Sequence, residues 1–195
     1  MRLLLTRPSA CPGEVDTGSP NKDMRHLRVS RGIMAAPKRK ASKPAKPAGA
    51  RILVVEARFY DAISDALLAG ASKALDEAHA SWDSIVVPGA LEIVPAIGIA
   101  VEAAQKQKKP YDGAVALGCV IQGQTFHFDI VAMQSAKALL DYSVAHQFPV
   151  GNGILTVDNE EQAWARARLT EGNKGGDAVR AALALVELKR QRAKR

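Results

Sequence analysis

The stretch Gly113-Ala-Val-Ala-Leu-Gly-Cys-Val-Ile121, followed by Gln122-Gly-Gln-Thr-Phe-His127, is the most informative part of this sequence. It begins with a nearly continuous apolar run, which is typical of a strand buried on both faces of a parallel sheet. The polar turn that follows leads into a helical pattern over about residues 125–146. A buried strand that turns directly into a helix predicts an α/β fold.

The same alternation of strand and helix extends to both sides of this stretch. Pro95 fits a helix only if it lies in the first turn, and Asn159 is predicted to cap a helix in which Gln162 occupies the third position. We expect a three-layer αβα domain whose four-stranded parallel sheet carries helices on both faces. Apolar periodicity predicts the other strands over residues 52–57, 84–88 and 150–157, and the other helices over residues 62–78, 92–107, 160–169 and 177–192.

The positive charge of the chain is concentrated at its ends. The 195 residues carry a net charge of +7, but residues 1–50 contribute +8 and residues 51–195 contribute −1. The first segment is rich in Pro, Ser, Lys and Arg, so we predict a disordered basic tail at 1–50 and one domain at 51–195. An Arg-rich, acid-poor start is also typical of an organelle transit peptide, which is an alternative for residues 1–33. The near-neutral body argues against specific nucleic-acid recognition.

The cysteine content and the hydropathy of the sequence indicate the cellular compartment in which the protein is expected. Cys11 and Cys119 are far apart and form neither a metal motif nor a disulfide framework, which favours a reducing cytoplasm. No apolar run approaches the roughly 18–20 residues that a membrane span requires. We therefore expect a cytoplasmic protein with no membrane partner and no metal site.

Polar and glycine-containing segments indicate where a ligand would bind. In open parallel sheets, ligands bind beyond the carboxyl ends of the strands. We expect four segments to lie at those ends and to form one rim, namely Arg58-Phe-Tyr60, Pro88-Gly-Ala-Leu-Glu92, Gln122-Gly-Gln-Thr-Phe-His127 and Gly151-Asn-Gly153.

The third of these segments contains residues suited to an anion and to proton transfer. If the helix begins at Thr125, the backbone N–H groups of residues 123–125 and the positive helix end suit a phosphate. An ordinary turn capped by Thr125 is the alternative. His127 can carry a proton near neutral pH, or it is a surface histidine, as we expect for His26, His79 and His146.

Other candidates also have a functional and an ordinary interpretation. Glu92 can accept hydrogen bonds from substrate hydroxyls, or it is a solvated carboxylate at a helix start. Phe59 either stacks on a heterocycle or is a core phenylalanine. Arg166 and Lys174 either bind an anion or are simply solvated cations.

Taken in order, these segments resemble the lumazine synthase family. Val87-Pro-Gly-Ala-Leu-Glu-Ile93 resembles that family's signature after the second strand. Gly118-Cys-Val-Ile-Gln-Gly-Gln-Thr-Phe-His-Phe-Asp-Ile-Val131 resembles its phosphate loop and the start of its catalytic helix. The resemblance covers about residues 50–190, and the remaining motifs are matched by Gly153-Ile-Leu-Thr156, Glu161-Gln-Ala163 and Gly172-Asn-Lys-Gly175.

This resemblance implies a flavodoxin-like subunit that forms homopentamers, with active sites shared between neighbouring subunits and with pentamers able to assemble further. It implies a cofactor-free transferase of riboflavin biosynthesis that condenses 5-amino-6-ribitylaminouracil with 3,4-dihydroxy-2-butanone 4-phosphate. The products are 6,7-dimethyl-8-ribityllumazine, phosphate and water. A flavin- or lumazine-binding carrier, or a specialised paralogue with reduced activity, is the alternative.

The resemblance also implies a role for each candidate residue. His127 is the implied catalytic proton shuttle. The implied phosphate site comprises Gly123, Gln124, Thr125 and Arg166. The implied contacts to the pyrimidine and its ribityl chain come from Phe59, Ala90, Leu91, Glu92, Val120, Ile121 and Asn152, and from Lys174 of the adjoining subunit.

Some positions depart from the family pattern. Gln122 stands where many members have Arg, so one positive charge near the phosphate is missing. Tyr60 replaces a frequent Asn, and Leu91 replaces a usual Phe. Asn152 replaces an aromatic residue that covers the pyrimidine from the neighbouring subunit. Because the histidine is retained, we expect activity with weaker substrate binding.

Overall fold

The computed structural model describes residues 49–193, which contain four strands and five α-helices. The strands are Arg51–Ala57 (β1), Ser81–Val87 (β2), Gly113–Ile121 (β3) and Val150–Val157 (β4). The helices are Asp61–Glu77 (α1), Ile93–Lys106 (α2), His127–Ala145 (α3), Glu160–Ala167 (α4) and Lys174–Ala193 (α5). None of these helices is long and apolar enough to cross a membrane.

The strands form one parallel sheet with the order β2-β1-β3-β4, and helices cover both of its faces. Ile52 and Val54 of β1 belong to a core with α1, α4 and α5, whereas Leu53 and Val55 belong to a core with α2 and α3. Alternate residues of one strand therefore enter opposite cores, as expected for a central parallel strand. The three-layer, flavodoxin-like prediction is confirmed.

Within the described residues, burial begins at Ala50, one residue before β1. Ala50 is fully buried, and its carbonyl oxygen accepts a hydrogen bond from the Ser81 N–H at 2.9 Å. The predicted tail at residues 1–50 lies outside the described residues, apart from Gly49 and Ala50.

Strand β2 differs from its prediction in length and in burial. It begins at Ser81 rather than Ser84, and it pairs only with β1, so it forms an edge of the sheet. Most of its residues are exposed or half-buried, and Val86 is 58% exposed. The first half of β2 was not predicted because it contains polar residues. Such residues are compatible with an edge strand, which need not be apolar on both faces.

The starts of the helices depend on their caps. The Asn159 side chain accepts a hydrogen bond from the Gln162 N–H at 2.9 Å, so the predicted cap of α4 is confirmed. Pro95 lies in the first turn of α2, as predicted. Helix α3 begins at His127 rather than Thr125. Helix α5 begins at Lys174, before the predicted residue 177, and the Asn173 side chain accepts the Gly176 N–H at 3.2 Å.

Helices α1 and α5 pack with their backbones in close contact. A Cβ atom at Gly175 would clash with the carbonyl oxygen of Leu67. A Cβ atom at Gly70 would clash with the side-chain oxygen of Asn173. A side chain at Gly175 would overlap backbone, and one at Gly70 would require the Asn173 side chain to move. The contact fixes the start of α5 against the middle of α1.

Candidate active site

A pocket of about 480 Å³ opens at the carboxyl ends of β1 and β3. Its position agrees with the expected location of a ligand in an open parallel sheet. Nine predicted site residues line it, namely Phe59, Ala90, Leu91, Glu92, Val120, Ile121, Gly123, Thr125 and His127. Three further lining residues, Tyr60, Pro88 and Gly89, belong to the predicted rim segments. The lining residues that were not predicted are Ala57, Cys119, Phe128 and Val131.

The β1–α1 connection presents an aromatic ring to this pocket. Phe59 is 73% exposed, so it is not the core phenylalanine of the ordinary interpretation. Its ring packs edge-to-face on Tyr60, with 5.0 Å between the ring centroids. A free aromatic face at a pocket wall can stack on a planar heterocycle.

A short 3-10 helix, Ala90–Glu92, carries the second group of pocket residues. Gly89 precedes it in an extended conformation, and the Glu92 N–H donates to the Gly89 carbonyl at 3.2 Å. A Cβ atom at Gly89 would lie 2.9 Å from a carboxylate oxygen of Glu92, so a side chain there would crowd the carboxylate. The exposed carboxylate of Glu92 can accept hydrogen bonds from hydroxyl groups of a ligand.

The connection from β3 to α3 places a histidine at the pocket, but its helix starts later than predicted. The Gln122 N–H donates to the Val157 carbonyl at 2.9 Å and extends the strand pairing by one residue. Within residues 49–193, no side chain caps α3, so the expectation of a Thr125 cap is wrong. The positive end of α3 therefore lies at His127 and not at residues 123–125.

Gly123 stands in open space at the pocket wall. A Cβ atom built on it would meet no heavy atom within 4 Å. Its backbone is therefore accessible to a bound group, which is what an anion site formed by backbone N–H groups requires.

Four candidate residues do not line the pocket of the single chain, namely Gln124, Asn152, Arg166 and Lys174. The Arg166 guanidinium donates to the Gln162 carbonyl at 3.0 Å, within its own helix. The Lys174 ammonium pairs with Asp177 at 2.9 Å. Both cations are thus held on the last two helices, away from the pocket wall.

The expectation that residues 151–153 share the rim is wrong. They lie in the first half of β4, where Asn152 pairs with Ala116 of β3. The pocket is at the other end of β3, at Val120 and Ile121. Three of the four predicted segments therefore meet in one chain, and the fourth lies beside the middle of β3.

Cys119 forms part of the pocket wall, and its thiol is buried. Burial raises the pKa of its thiol from 9.0 to about 11. The thiolate, which is the nucleophilic form, is therefore rare at neutral pH. Among residues 49–193, no three His, Cys, Asp or Glu side chains are grouped so that they could hold a metal ion.

The fold and the pocket define a class of protein, namely a flavodoxin-like α/β protein with a ligand site beyond the carboxyl ends of its parallel strands. The sequence model of the 6,7-dimethyl-8-ribityllumazine synthase family matches residues 49–190. The chain belongs to this family.

Curated bacterial proteins with that name are similar over most of their length. The chain is 60% identical over 146 residues to "6,7-dimethyl-8-ribityllumazine synthase 1" of Rhodopseudomonas palustris, covering 75% of this chain and 90% of that protein. It is 60% identical to "6,7-dimethyl-8-ribityllumazine synthase" of Nitrobacter hamburgensis, with the same coverage. It is 60% identical over 140 residues to "6,7-dimethyl-8-ribityllumazine synthase 1" of Rhizobium meliloti, covering 72% of this chain and 92% of that protein.

Proposed function

We propose that this protein is a transferase that makes 6,7-dimethyl-8-ribityllumazine from 5-amino-6-ribitylaminouracil and 3,4-dihydroxy-2-butanone 4-phosphate, as a step of riboflavin biosynthesis. The observation that carries the proposal is the arrangement of His127, Glu92 and Phe59 around one pocket in a chain of this family. A proton-transfer group, a hydroxyl acceptor and a stacking surface are the groups that this condensation needs.

The pyrimidine substrate occupies the part of the pocket between β1 and the 3-10 helix. Phe59 stacks on the planar ring, and the backbone groups of Val120 and Ile121 hydrogen-bond to its polar edge. The ribityl chain lies along Ala90 and Leu91, and Glu92 accepts hydrogen bonds from its hydroxyl groups. A stacked ring with a hydrogen-bonded edge and chain has a single orientation, which directs its amine toward the ketone.

The phosphate of the second substrate binds at the β3–α3 connection. Gly123, Gln124 and Thr125 offer backbone N–H groups, and the helix end at His127 adds a favourable dipole. Gln122 carries no charge, so Arg166 supplies the positive charge for the phosphate. Arg166 lies outside the pocket of its own chain.

Each step of the reaction requires the transfer of a proton. The amine of the pyrimidine attacks the ketone carbon, and loss of water gives an imine. Proton removal from the carbon next to the imine expels phosphate with its electron pair, and protonation of the resulting enol gives a ketone. The ribityl-bearing nitrogen attacks this ketone, and loss of a second water closes the second ring. His127, at the pocket wall, accepts and returns these protons, because an imidazole changes its protonation state near neutral pH.

The active form is a homopentamer whose sites are shared between neighbouring subunits, and such pentamers can assemble further. One support is an apolar stripe along the outer face of α3, formed by the exposed residues Phe126, Ile130, Met133, Leu140 and Val144. An exposed apolar stripe of this length is typical of a protein interface. The second support is that Asn152 and Lys174, which the family resemblance assigns to the substrate site, lie outside the pocket of their own chain. We place this assembly in the cytoplasm, in agreement with the distant cysteines of the sequence.

The test is to mix the purified protein with both substrates and to follow the absorbance of the lumazine product. We expect product to form faster than in the spontaneous reaction, and phosphate to be released in equal amount. A protein that retains a tightly bound flavin and makes no lumazine would instead be a carrier. The His127→Ala variant is the control for the role of the pocket.

A further inference from the structure

Arg58 lies between β1 and the ring of Phe59, and its guanidinium contacts three carboxylates. Its Nη1 atom donates to Glu56 at 3.3 Å, and its Nε atom donates to Asp61 at 3.2 Å. Its Nη2 atom donates to Asp65 at 2.6 Å. One side chain therefore joins the end of β1 to the first two turns of α1, on both sides of Phe59.

The strand side of this arrangement is a buried carboxylate. Glu56 is only 2% exposed, and it points to the face of the sheet opposite to that of its pocket-lining neighbour Ala57. Desolvation raises the pKa of Glu56, while the nearby Arg58 acts in the opposite direction. Burial of the Glu56 carboxylate costs desolvation free energy, and Glu56 does not line the pocket. Its contact with Arg58 therefore has a structural role, which is to hold Arg58 against the end of β1.

Phe59 has little packing of its own to hold it in place. Its ring is 73% exposed, and its ring contact within residues 49–193 is with the adjacent Tyr60. In the same part of the chain, no side-chain hydrogen bond caps α1 at Tyr60. The conformation of residues 58–60 is set by the three contacts of the Arg58 guanidinium and by the Tyr60 carbonyl, which accepts hydrogen bonds from the Ser64 N–H at 2.9 Å and from the Ser64 hydroxyl at 3.0 Å.

We infer that Arg58 is a positioning residue for the pyrimidine substrate, because it fixes the connection that presents Phe59 to the pocket. This inference rests on the proposed function of the site. Arg58 does not line the pocket, so it acts through the ring of Phe59 and not through a contact with substrate. A substitution of Arg58 should weaken binding of the pyrimidine, which stacks on Phe59. It should leave binding of the phosphorylated ketone nearly unchanged.

The test compares the two Michaelis constants in Arg58→Gln and Arg58→Lys. A small displacement of a positioning group costs up to about 100-fold, so we expect KM for the pyrimidine to rise roughly tenfold in Arg58→Gln. The KM for the phosphorylated ketone should stay within about twofold, because Phe59 is not part of its site. Arg58→Lys should recover part of the loss, since it keeps the charge beside Glu56 but not the three-way contact.

Arg58→Gln leaves the buried Glu56 without its cation, so a second variant separates misfolding from positioning. Glu56→Gln/Arg58→Gln removes the buried charge together with its partner, and it should show the same rise in KM for the pyrimidine with a smaller loss of melting temperature. Phe59→Ala and Phe59→Ala/Arg58→Gln complete a double-mutant cycle. If Arg58 acts through Phe59, the second change adds little to the first.

The deciding readout is calorimetric binding of 5-amino-6-ribitylaminouracil alone, which requires no turnover. We expect Arg58→Gln and the double Gln variant to bind it about tenfold more weakly than the native chain does. Unchanged pyrimidine binding in both variants, or equal changes for the two substrates, would overturn the inference. If the native protein binds the pyrimidine but makes no lumazine, the proposed function fails, and the binding constants still decide the role of Arg58.

Discussion

Asn152 of β4 lies opposite Ala116 of β3, four residues before Val120 at the pocket wall. A strand rises about 3.3 Å per residue, so Asn152 is roughly 13 Å along the sheet from the pocket of its own chain. Its side chain is exposed, and its oxygen accepts the Ile154 N–H at 2.9 Å. Under the proposed assembly, Asn152 contacts substrate only in the pocket of a neighbouring subunit.

A shared site predicts that two defective chains restore activity when they assemble together. His127→Ala removes the proton shuttle, and Lys174→Ala removes the cation that the neighbour contributes. In pentamers with equal amounts of the two chains, about a quarter of the sites combine an intact His127 with an intact Lys174. Coexpressed chains should therefore form lumazine faster than either variant alone. Variants mixed after separate assembly are the control, and no gain on coexpression would contradict the shared site.

Removal of the histidine should slow the reaction without abolishing it. Loss of a positioned acid–base group typically costs roughly 10²–10⁴-fold. Because the condensation also proceeds slowly without enzyme, and because binding and orientation persist in His127→Ala, we expect the low end of that range or less. The rate should be measured from pH 5 to pH 8, and the profiles of the native protein and the variant should differ in shape. His146→Ala is a matched control, since His146 packs on Tyr142 and lies outside the pocket. An identical profile for the native and His127→Ala proteins would remove His127 from the mechanism.

The phosphate site predicts opposite effects for two substitutions. A charge-assisted hydrogen bond contributes roughly 1.5–3 kcal/mol, so Arg166→Ala should raise KM for the phosphorylated ketone by about 10- to 100-fold. Gln122→Arg should lower that constant, most clearly at low salt, where electrostatic attraction is least screened. The KM for the pyrimidine should change little in either variant.

Arg168→Ala is the matched control for this test. Arg168 stacks on Trp164 and pairs with Glu171, so its guanidinium is engaged on α4 and the loop after it. Its removal should leave both Michaelis constants unchanged. Equal effects of Arg166→Ala on both substrates would mean that Arg166 supports the fold or the subunit interface instead.

The buried thiol of Cys119 predicts a loss of stability at alkaline pH. Its pKa is raised from 9.0 to about 11 in the folded chain, so the unfolded chain loses this proton first. The stabilisation is fully present below pH 9 and is lost as the pH rises to about 11, with a magnitude of about 2–3 kcal/mol. Denaturant unfolding at pH 8, 9.5 and 11 should show a smaller fall for Cys119→Ala than for the native chain. Parallel curves for the two proteins would contradict the assignment.

Most of the fold could be predicted from the sequence because its central strands are apolar on both faces. β3 has no charged residue and β1 has an apolar run between Arg51 and Glu56, and such continuous runs are typical of the middle of a parallel sheet. β2 was predicted too short because edge strands alternate with polar residues, and Ser81 and Asp83 belong to that half-exposed pattern. The connections that follow β1, β2 and β3 were predicted as pocket segments, and they do line the pocket.

The remaining candidate segment was misplaced because its glycines were interpreted as a strand end. Gly151 and Gly153 lie inside β4, where a Cβ atom at Gly151 would clash with the Ala178 carbonyl of α5. A glycine within a strand often marks the close approach of another backbone, and here that backbone is a helix. Such an approach depends on residues distant in the chain, so local sequence does not distinguish it from a turn. The contacts of Arg58 likewise depend on the fold. The sequence contained one sign of them, which is Glu56 within the otherwise apolar run of β1.

The glycine contact between α1 and α5 fixes the position of Lys174, the first residue of α5, relative to α1. The Gly175 backbone contacts the Leu67 backbone with no side chain between them, so α5 cannot slide along α1 at this point without overlap of atoms. Lys174 is thus carried by the rigid body of the subunit and not by a lid.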